Sequence, residues 1–267
     1  MQLYVYKTKQ EPLADILLLH GLAEHQGRYS QVIRWFNEAG FDVYTYDQLA
    51  HGTSLVRKGQ PVEKCVVDIK TLIGDHFRAR GKVAKVSRTQ KLFLFGHSMG
   101  GLITAVSGLL RPEGIMGVVL SGPAVDSLIP RSVTAAALRL ARKYPAMPTV
   151  EMDPTEVALL PEVIAAYQSD PLNYVGPVPL LTAATLTNWS YFVHDNAGKW
   201  SLPLLVMHGE FDKVVSPSGS AHLVKQAQAA GVEAEYRVVL GEKHEIFNGP
   251  QAPQLLANTV TWLKAHL

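Results

Sequence analysis

The sequence predicts a doubly wound α/β protein built on a mostly parallel sheet. Short runs that are apolar nearly throughout alternate with amphipathic helical patterns, and that alternation is the signature of strands covered on both faces. At 267 residues and 47% hydrophobic, the chain is long enough for one large core. One long stretch breaks the alternation and reads as an insertion.

The candidate strands are residues 3–8, 15–20, 42–47, 91–96, 117–121, 203–208 and 234–240. Ile16 to Leu19, Leu92 to Phe95 and Leu204 to Met207 are apolar without interruption. Helical patterns fill residues 28–39, 62–80, 99–110, 218–230 and 252–266, with Gly40 and Gly231 as C-terminal stops. The first two strands lie too close for a crossover helix, so an antiparallel pair is expected there. Between residues 124 and 200 no convincing strand occurs, and eight of the sixteen prolines fall there. Residues 131–144, 161–168 and 180–194 look helical, and the prolines cut the remainder into short pieces. The expected organisation is a core of residues 1–123 and 201–267 with a helical cap, 124–200, inserted after the sixth strand. Connections between elements of an α/β core are ordinarily far shorter.

Composition excludes several classes. Twenty-five basic against 23 acidic side chains give a formal charge of +2, which announces neither a nucleic-acid nor a membrane-surface partner. Cys65 is the single cysteine, so no intrachain disulfide can form. No run approaches the ~18 apolar residues of a membrane span or the apolar core of a signal peptide. The default expectation is a cytoplasmic protein. Ten histidines are present, but none sits at a metal-ligand spacing, so neither metal nor cofactor is expected.

The chemistry is carried by Gly96-His97-Ser98-Met99-Gly100, a Gly-x-Ser-x-Gly segment between a strand and a helix. Glycines at both flanks let strand and helix backbones meet, and the turn lifts the serine above the C-terminal edge of the sheet. The following helix aims its free N–H groups at the same spot. A serine hydroxyl needs a base, and the base an orienting carboxylate, in the chain order serine, acid, histidine. After the strand 203–208, Glu210 and Asp212 share one loop. Asp212 is preferred, because a short carboxylate further from the strand end better suits a fixed contact. After the strand 234–240, His244 lies at the same sheet edge and is the candidate base. His97, beside the serine, reads as a packing or backbone-bonding residue, and His208 as the end of a strand. The oxyanion donors are expected to be the backbone N–H groups of Met99 and Leu22.

A combination of segments is familiar: His20-Gly21-Leu22-Ala23-Glu24-His25-Gln26-Gly27-Arg28-Tyr29, Asp47-Gln48-Leu49-Ala50-His51-Gly52, the serine segment, Ser169-Asp170-Pro171-Leu172, His208-Gly209-Glu210-Phe211-Asp212, and His244. From about His20 onward the chain resembles the monoacylglycerol lipase and lysophospholipase-like branch of the α/β-hydrolases. The resemblance implies the triad Ser98, Asp212, His244 and the donors Leu22 and Met99. It also implies that Glu24 and Arg28 sit at the alcohol end of the substrate pocket. Four apart at a helix start, the same two residues also read as a structural ion pair.

Three departures stand out. Ala50 replaces a usual glycine, so its loop is expected to be stiffer. The sheet is expected to be one strand short at its N-terminal edge. Phe247 occupies the neighbourhood where some members have a second histidine.

The implied function is hydrolysis of a lipid ester through an acyl-serine intermediate, with monoacylglycerol as the substrate. A lysophospholipase, a short-chain carboxylesterase and a ligand-binding protein without turnover are the alternatives. The apolar cap, with Trp189, Tyr191 and Phe192 together, would cover an acyl chain and is a candidate for transient contact with a lipid interface. The oligomeric state is not legible in the sequence.

Overall fold

The computed structural model describes residues 1–126 and 129–267, so two residues of the expected cap, 127 and 128, lie outside the described part. Among the described residues the main sheet contains β1 (Tyr4–Tyr6), β2 (Ala14–Leu19), β3 (Phe41–Thr45), β6 (Leu92–His97), β7 (Ile115–Ser121), β8 (Leu204–Gly209) and β9 (Ala234–Val239). Their spatial order is β1-β3-β2-β6-β7-β8-β9, and every pairing is parallel except β1 with β3. The strand order reverses between β3 and β6, with β2 at the centre. Such a switch point opens a crevice at the carboxyl ends of the strands.

The two-residue side-chain period sorts the core. Leu17, Leu19, Leu94, Leu120 and Val206 face a layer built on α2 (Ile69–Val86), α3 (Ser98–Leu110) and α8 (Pro217–Ala229). Ile16, Leu18, Phe93, Phe95 and Met207 face the opposite layer, α1 (Ser30–Glu38) and α9 (Ala252–Ala265), through Phe36, Leu256 and Trp262. Strands buried on both faces in this way need the uninterrupted apolar runs of the sequence.

Between β7 and β8 lie α4 (Arg131–Ala141), α5 (Pro154–Val157), α6 (Pro161–Ser169) and α7 (Leu180–Asn196), in the stretch expected to be helical. The segment follows the fifth strand of the main sheet, not the sixth. Five of the strands expected from the sequence already precede residue 124, so the position of the segment stands and only its ordinal changes.

Three details correct the sequence reading. The first strand is antiparallel, as expected, but its partner is β3: Val5 opposes Tyr44, because both edges of β2 are taken by β3 and β6. The helix expected from residue 62 begins at Ile69, capped by Asp68, whose side chain accepts from the Lys70 amide. The residues before it form a loop in which Cys65 has φ +60, outside helical space. A small hairpin, β4 (Val56–Arg57) with β5 (Gln60–Pro61), carries no alternation and was not anticipated.

Ala50, at the unusual alanine position, adopts φ +67, where a Cβ is strained and glycine is not. Ala50→Gly is expected to stabilise the fold by about 1 kcal/mol, measurable as a raised denaturation midpoint at unchanged slope.

Candidate active site

The strand β6 passes directly into α3 at Ser98, whose φ of +53 is a left-handed value that a serine adopts at a cost of about 1–3 kcal/mol. The flanking glycines make that turn possible. A Cβ on Gly96 would stand 2.5 Å from Thr104 Oγ1 and 2.6 Å from the Gly100 carbonyl oxygen. One on Gly100 would stand 2.3 Å from the His20 carbonyl oxygen. The head of α3 thus touches the end of β2, and the loop leaving β2 lies across the serine: a Cβ on Gly21 would come 3.2 Å from Ser98 Cβ. Ser98 is half-buried and Met99 fully buried, so the turn presents the hydroxyl and hides its neighbour.

Met99 lies in the first turn of α3, where helix amides have no carbonyl partner within the helix. Among the described residues the Leu22 amide also makes no hydrogen bond. Next to it, Ala23 has φ +65, and its carbonyl accepts from the Tyr174 amide at 2.9 Å and the Tyr167 hydroxyl at 3.3 Å. The segment from 167 to 174 therefore sets the twist of the loop that carries Leu22.

Asp212 follows β8. Its Oδ1 accepts from the amides of Val214 and Val215, both at 2.9 Å. Its Oδ2 stands 2.6 Å from Nδ1 of His244, which follows β9. Glu210, the rival carboxylate, accepts instead from the Gly241 amide. The two loops are locked together by backbone: the Phe211 amide donates to the Glu242 carbonyl at 2.9 Å, and a Cβ on Gly209 would fall 1.9 Å from the Lys243 carbonyl oxygen. The His244 ring lies 4.7 Å from the His97 ring, centroid to centroid. His97 is held in turn by its Nδ1 at 3.0 Å from the Ser121 carbonyl oxygen, the backbone-bonding role expected for it. Among the described residues the Ser98 hydroxyl makes no hydrogen bond. A hydroxyl rotor is free to reorient, and such contacts commonly tighten when substrate enters.

Electrostatics separate the members of this pair. Burial alone would push Asp212 up, but the His244 ring, hydrogen bonds from both His208 and His244, and the Val215 amide outweigh it and hold the carboxyl well below its usual range. Burial alone would pull His244 down, but the Asp212 carboxylate, supported by Glu245 and Glu24, raises it above the ordinary imidazole value. For His97 burial dominates, reinforced by His244, and its value falls to about 3, so it stays neutral beside His244.

Glu24 and Arg28 form the ion pair that one of the two readings anticipated, extended by a third member. Arg28 Nη1 lies 2.7 Å from Glu24 Oε2 and 2.6 Å from Glu245 Oε1, while Nη2 lies 2.8 Å from Glu245 Oε2. Glu24 Oε1 accepts from the Gly21 amide at 2.5 Å and the Tyr29 hydroxyl at 2.6 Å. The guanidinium also lies over the Tyr167 ring, 4.8 Å from its centroid. Glu245 was not singled out from the sequence. It adjoins His244, but its partner stands 217 positions away, and no local spacing reveals such a pair. His208 was also passed over, although its ring contacts Asp212.

An open parallel sheet with a strained serine on its central elbow and an Asp–His pair at the same edge defines an α/β-hydrolase site. The chain belongs to the Hydrolase_4 family (serine aminopeptidase, S33), whose model matches residues 10–251. It is 33% identical over 268 residues to the monoacylglycerol lipase of Mycolicibacterium smegmatis, covering 98% of this chain and 92% of that protein. It is 26% identical to the monoglyceride lipase of Homo sapiens, covering 91% and 81%. Among solved structures, the Paleococcus ferrophilus monoacylglycerol lipase superposes with a TM-score of 0.85 at 29% identity, over the full length of both chains.

Two outcomes follow from this geometry. Arg28→Ala strands two carboxylates that are nearly fully buried, and is expected to cost about 3–5 kcal/mol of stability in a denaturant titration. As the candidate base, His244 must be unprotonated to act, and it sits above its ordinary value near 6.5. Turnover is therefore expected to be lost as pH falls through that raised value, with the acid limb of a kcat/KM profile lying above pH 6.5.

Proposed function

We propose that the protein is a serine ester hydrolase acting on monoacylglycerols, with Ser98 as nucleophile, His244 as general base and acid, and Asp212 as its orienting carboxylate. The observation that carries this reading is the Asp212–His244 contact of 2.6 Å at the same sheet edge as a serine held at positive φ. The substrate class is supported by the names of the relatives matched over nearly the whole chain.

In this mechanism the unprotonated Nε2 of His244 takes the Ser98 proton as the hydroxyl oxygen attacks the ester carbonyl. The tetrahedral oxyanion is held by the N–H groups of Leu22 and Met99. The imidazolium passes its proton to the alkoxide of glycerol as the C–O bond breaks, leaving an acyl-serine. Water then attacks the acyl carbon with the roles reversed, releasing the fatty acid. Asp212 stays ionised throughout and fixes the ring.

Residues 124–200 serve in this reading as the cap over the acyl chain. Trp189 and Phe192, with rings 5.1 Å apart, pack against the sheet-facing core and supply apolar cover. Each buried methylene contributes about 0.8 kcal/mol, so chain length sets affinity. Glu24 and Arg28 lie at the alcohol end, and their charges, already matched, act by fixing the loop that bears Leu22.

The cap is also the part that meets a lipid surface. Val133, Leu140 and Tyr144 are exposed on and just beyond α4, with Arg139, Arg142 and Lys143 between them. No helix among the described residues is long and apolar enough to cross a membrane, so contact would be peripheral.

Ser98→Ala is expected to lower kcat by at least about 10⁴-fold with the fold intact, and to abolish labelling by a fluorophosphonate. Substantial turnover by that variant refutes the assignment. A panel of monoacylglycerols and p-nitrophenyl esters of rising acyl length separates this reading from a short-chain esterase: the lipase favours the longer monoacylglycerols. Sedimentation with phosphatidylglycerol-containing vesicles, compared with neutral ones, tests the cap surface; equal absence from both pellets ends that part of the proposal.

A further inference from the structure

His208 is the penultimate residue of β8, four residues before Asp212, and its side chain is fully buried. Its Nε2 lies 2.9 Å from Asp212 Oδ2 and 3.2 Å from the Val215 carbonyl oxygen. Both neighbours are acceptors, so Nε2 carries the ring proton, which bonds the Val215 carbonyl and stands against Oδ2 of Asp212. On the other side Nδ1 stands 2.8 Å from the Ser220 hydroxyl, in α8, a donor well placed for an unprotonated nitrogen. The ring is therefore fixed in one tautomer between β8 and α8.

This changes the surroundings of the carboxylate. A carboxylate offers about four lone-pair sites. On Asp212 two belong to Oδ1 and are met by the Val214 and Val215 amides. Oδ2 stands between two imidazoles, His244 at 2.6 Å and His208 at 2.9 Å. Both carboxylate oxygens therefore face N–H donors, two backbone amides on Oδ1 and two imidazoles on Oδ2.

We propose that His208 is a positioning residue for catalysis: its Nε2–H pins Oδ2 of Asp212 against the base and keeps the carboxylate from taking up the proton of His244. The proposal rests on the reading of Ser98, Asp212 and His244 as the catalytic set. A ring that merely fills space would not need its two nitrogens matched to two acceptors and a hydroxyl. Around the pair, His97, Glu245 and Glu24 act on His244, while Tyr236 lies near Asp212. These groups are unchanged in the variants below.

The test compares His208→Leu, His208→Gln and Asp212→Asn across a pH series. Leucine keeps bulk without a donor, whereas the glutamine amide nitrogen can stand where Nε2 stood. His208→Leu is expected to lower kcat by about 10- to 100-fold with KM within about twofold. Its acid limb is expected to move to higher pH, because an Asp212 charge shared with one ring fewer holds the His244 proton more tightly. His208→Gln is expected to recover most of kcat and return the limb. Wild-type kcat and limb in a folded His208→Leu overturn the proposal, as does equal impairment of both variants with an unmoved limb. Nitrogen-15 NMR of the wild-type histidines provides a readout that needs no variant to fold: Nε2–H at position 208 is expected at neutral pH, and an Nδ1–H tautomer overturns the proposal. Wild-type kcat in Asp212→Asn would instead overturn the catalytic reading, and the tautomer would still report on His208.

Discussion

The buried chain Glu24–Arg28–Glu245 is the contact on which the rest of the site depends. One guanidinium reaches the loop that carries Leu22, through Glu24 and the Gly21 amide, and the loop that carries His244, through Glu245. It also lies against Tyr167, whose hydroxyl bonds the Ala23 carbonyl. Three segments remote in sequence are thereby referred to a single planar cation. Such planarity matters, since a fork of fixed N–H directions specifies angles that a flexible ammonium would not. His25 and Asp170, 2.9 Å apart, repeat the connection a few residues away.

The energetic logic is a rigid floor under strained loops. Ala23, Ala50 and Ser98 occupy left-handed backbone space without the licence of glycine, and all three lie in loops or turns at the carboxyl ends of β2, β3 and β6. Strain of that kind persists when the surroundings over-determine it. The surroundings here are strands buried on both faces, with large side chains such as Phe93, Phe95 and Leu17 fully enclosed. Burial of this extent supplies a stabilisation against which a few strained residues are small.

How much was legible in the sequence follows from the range of each signal. The central strands announced themselves because two buried faces demand apolar runs, and the serine elbow because its glycines are forced by backbone contact. Asp212 and His244 could be placed from their positions after two late strands. Long-range choices were not legible. Nothing near Val5 says that its neighbour is Tyr44 and not a residue of β2. Residues 62–67 keep an apolar content compatible with a helix, and only Cys65 at positive φ and the Asp68 cap show where the helix begins. Glu245 carries no local signal, because only folding sets it on Arg28. His208 looked like a strand end because the acceptors for its ring lie on residues further along the chain. Side chains that serve other side chains leave little local trace, whereas those that shape the backbone leave much.

The approach of Gly209 to the Lys243 carbonyl has a further consequence. The strand end before Asp212 and the turn before His244 touch main chain to main chain, with no room between them for even a methyl group. The two loops therefore cannot drift independently during natural variation. A residue of any size at 209 would wedge them apart before touching the chemistry, so tolerated change in one loop must preserve the backbone path of the other.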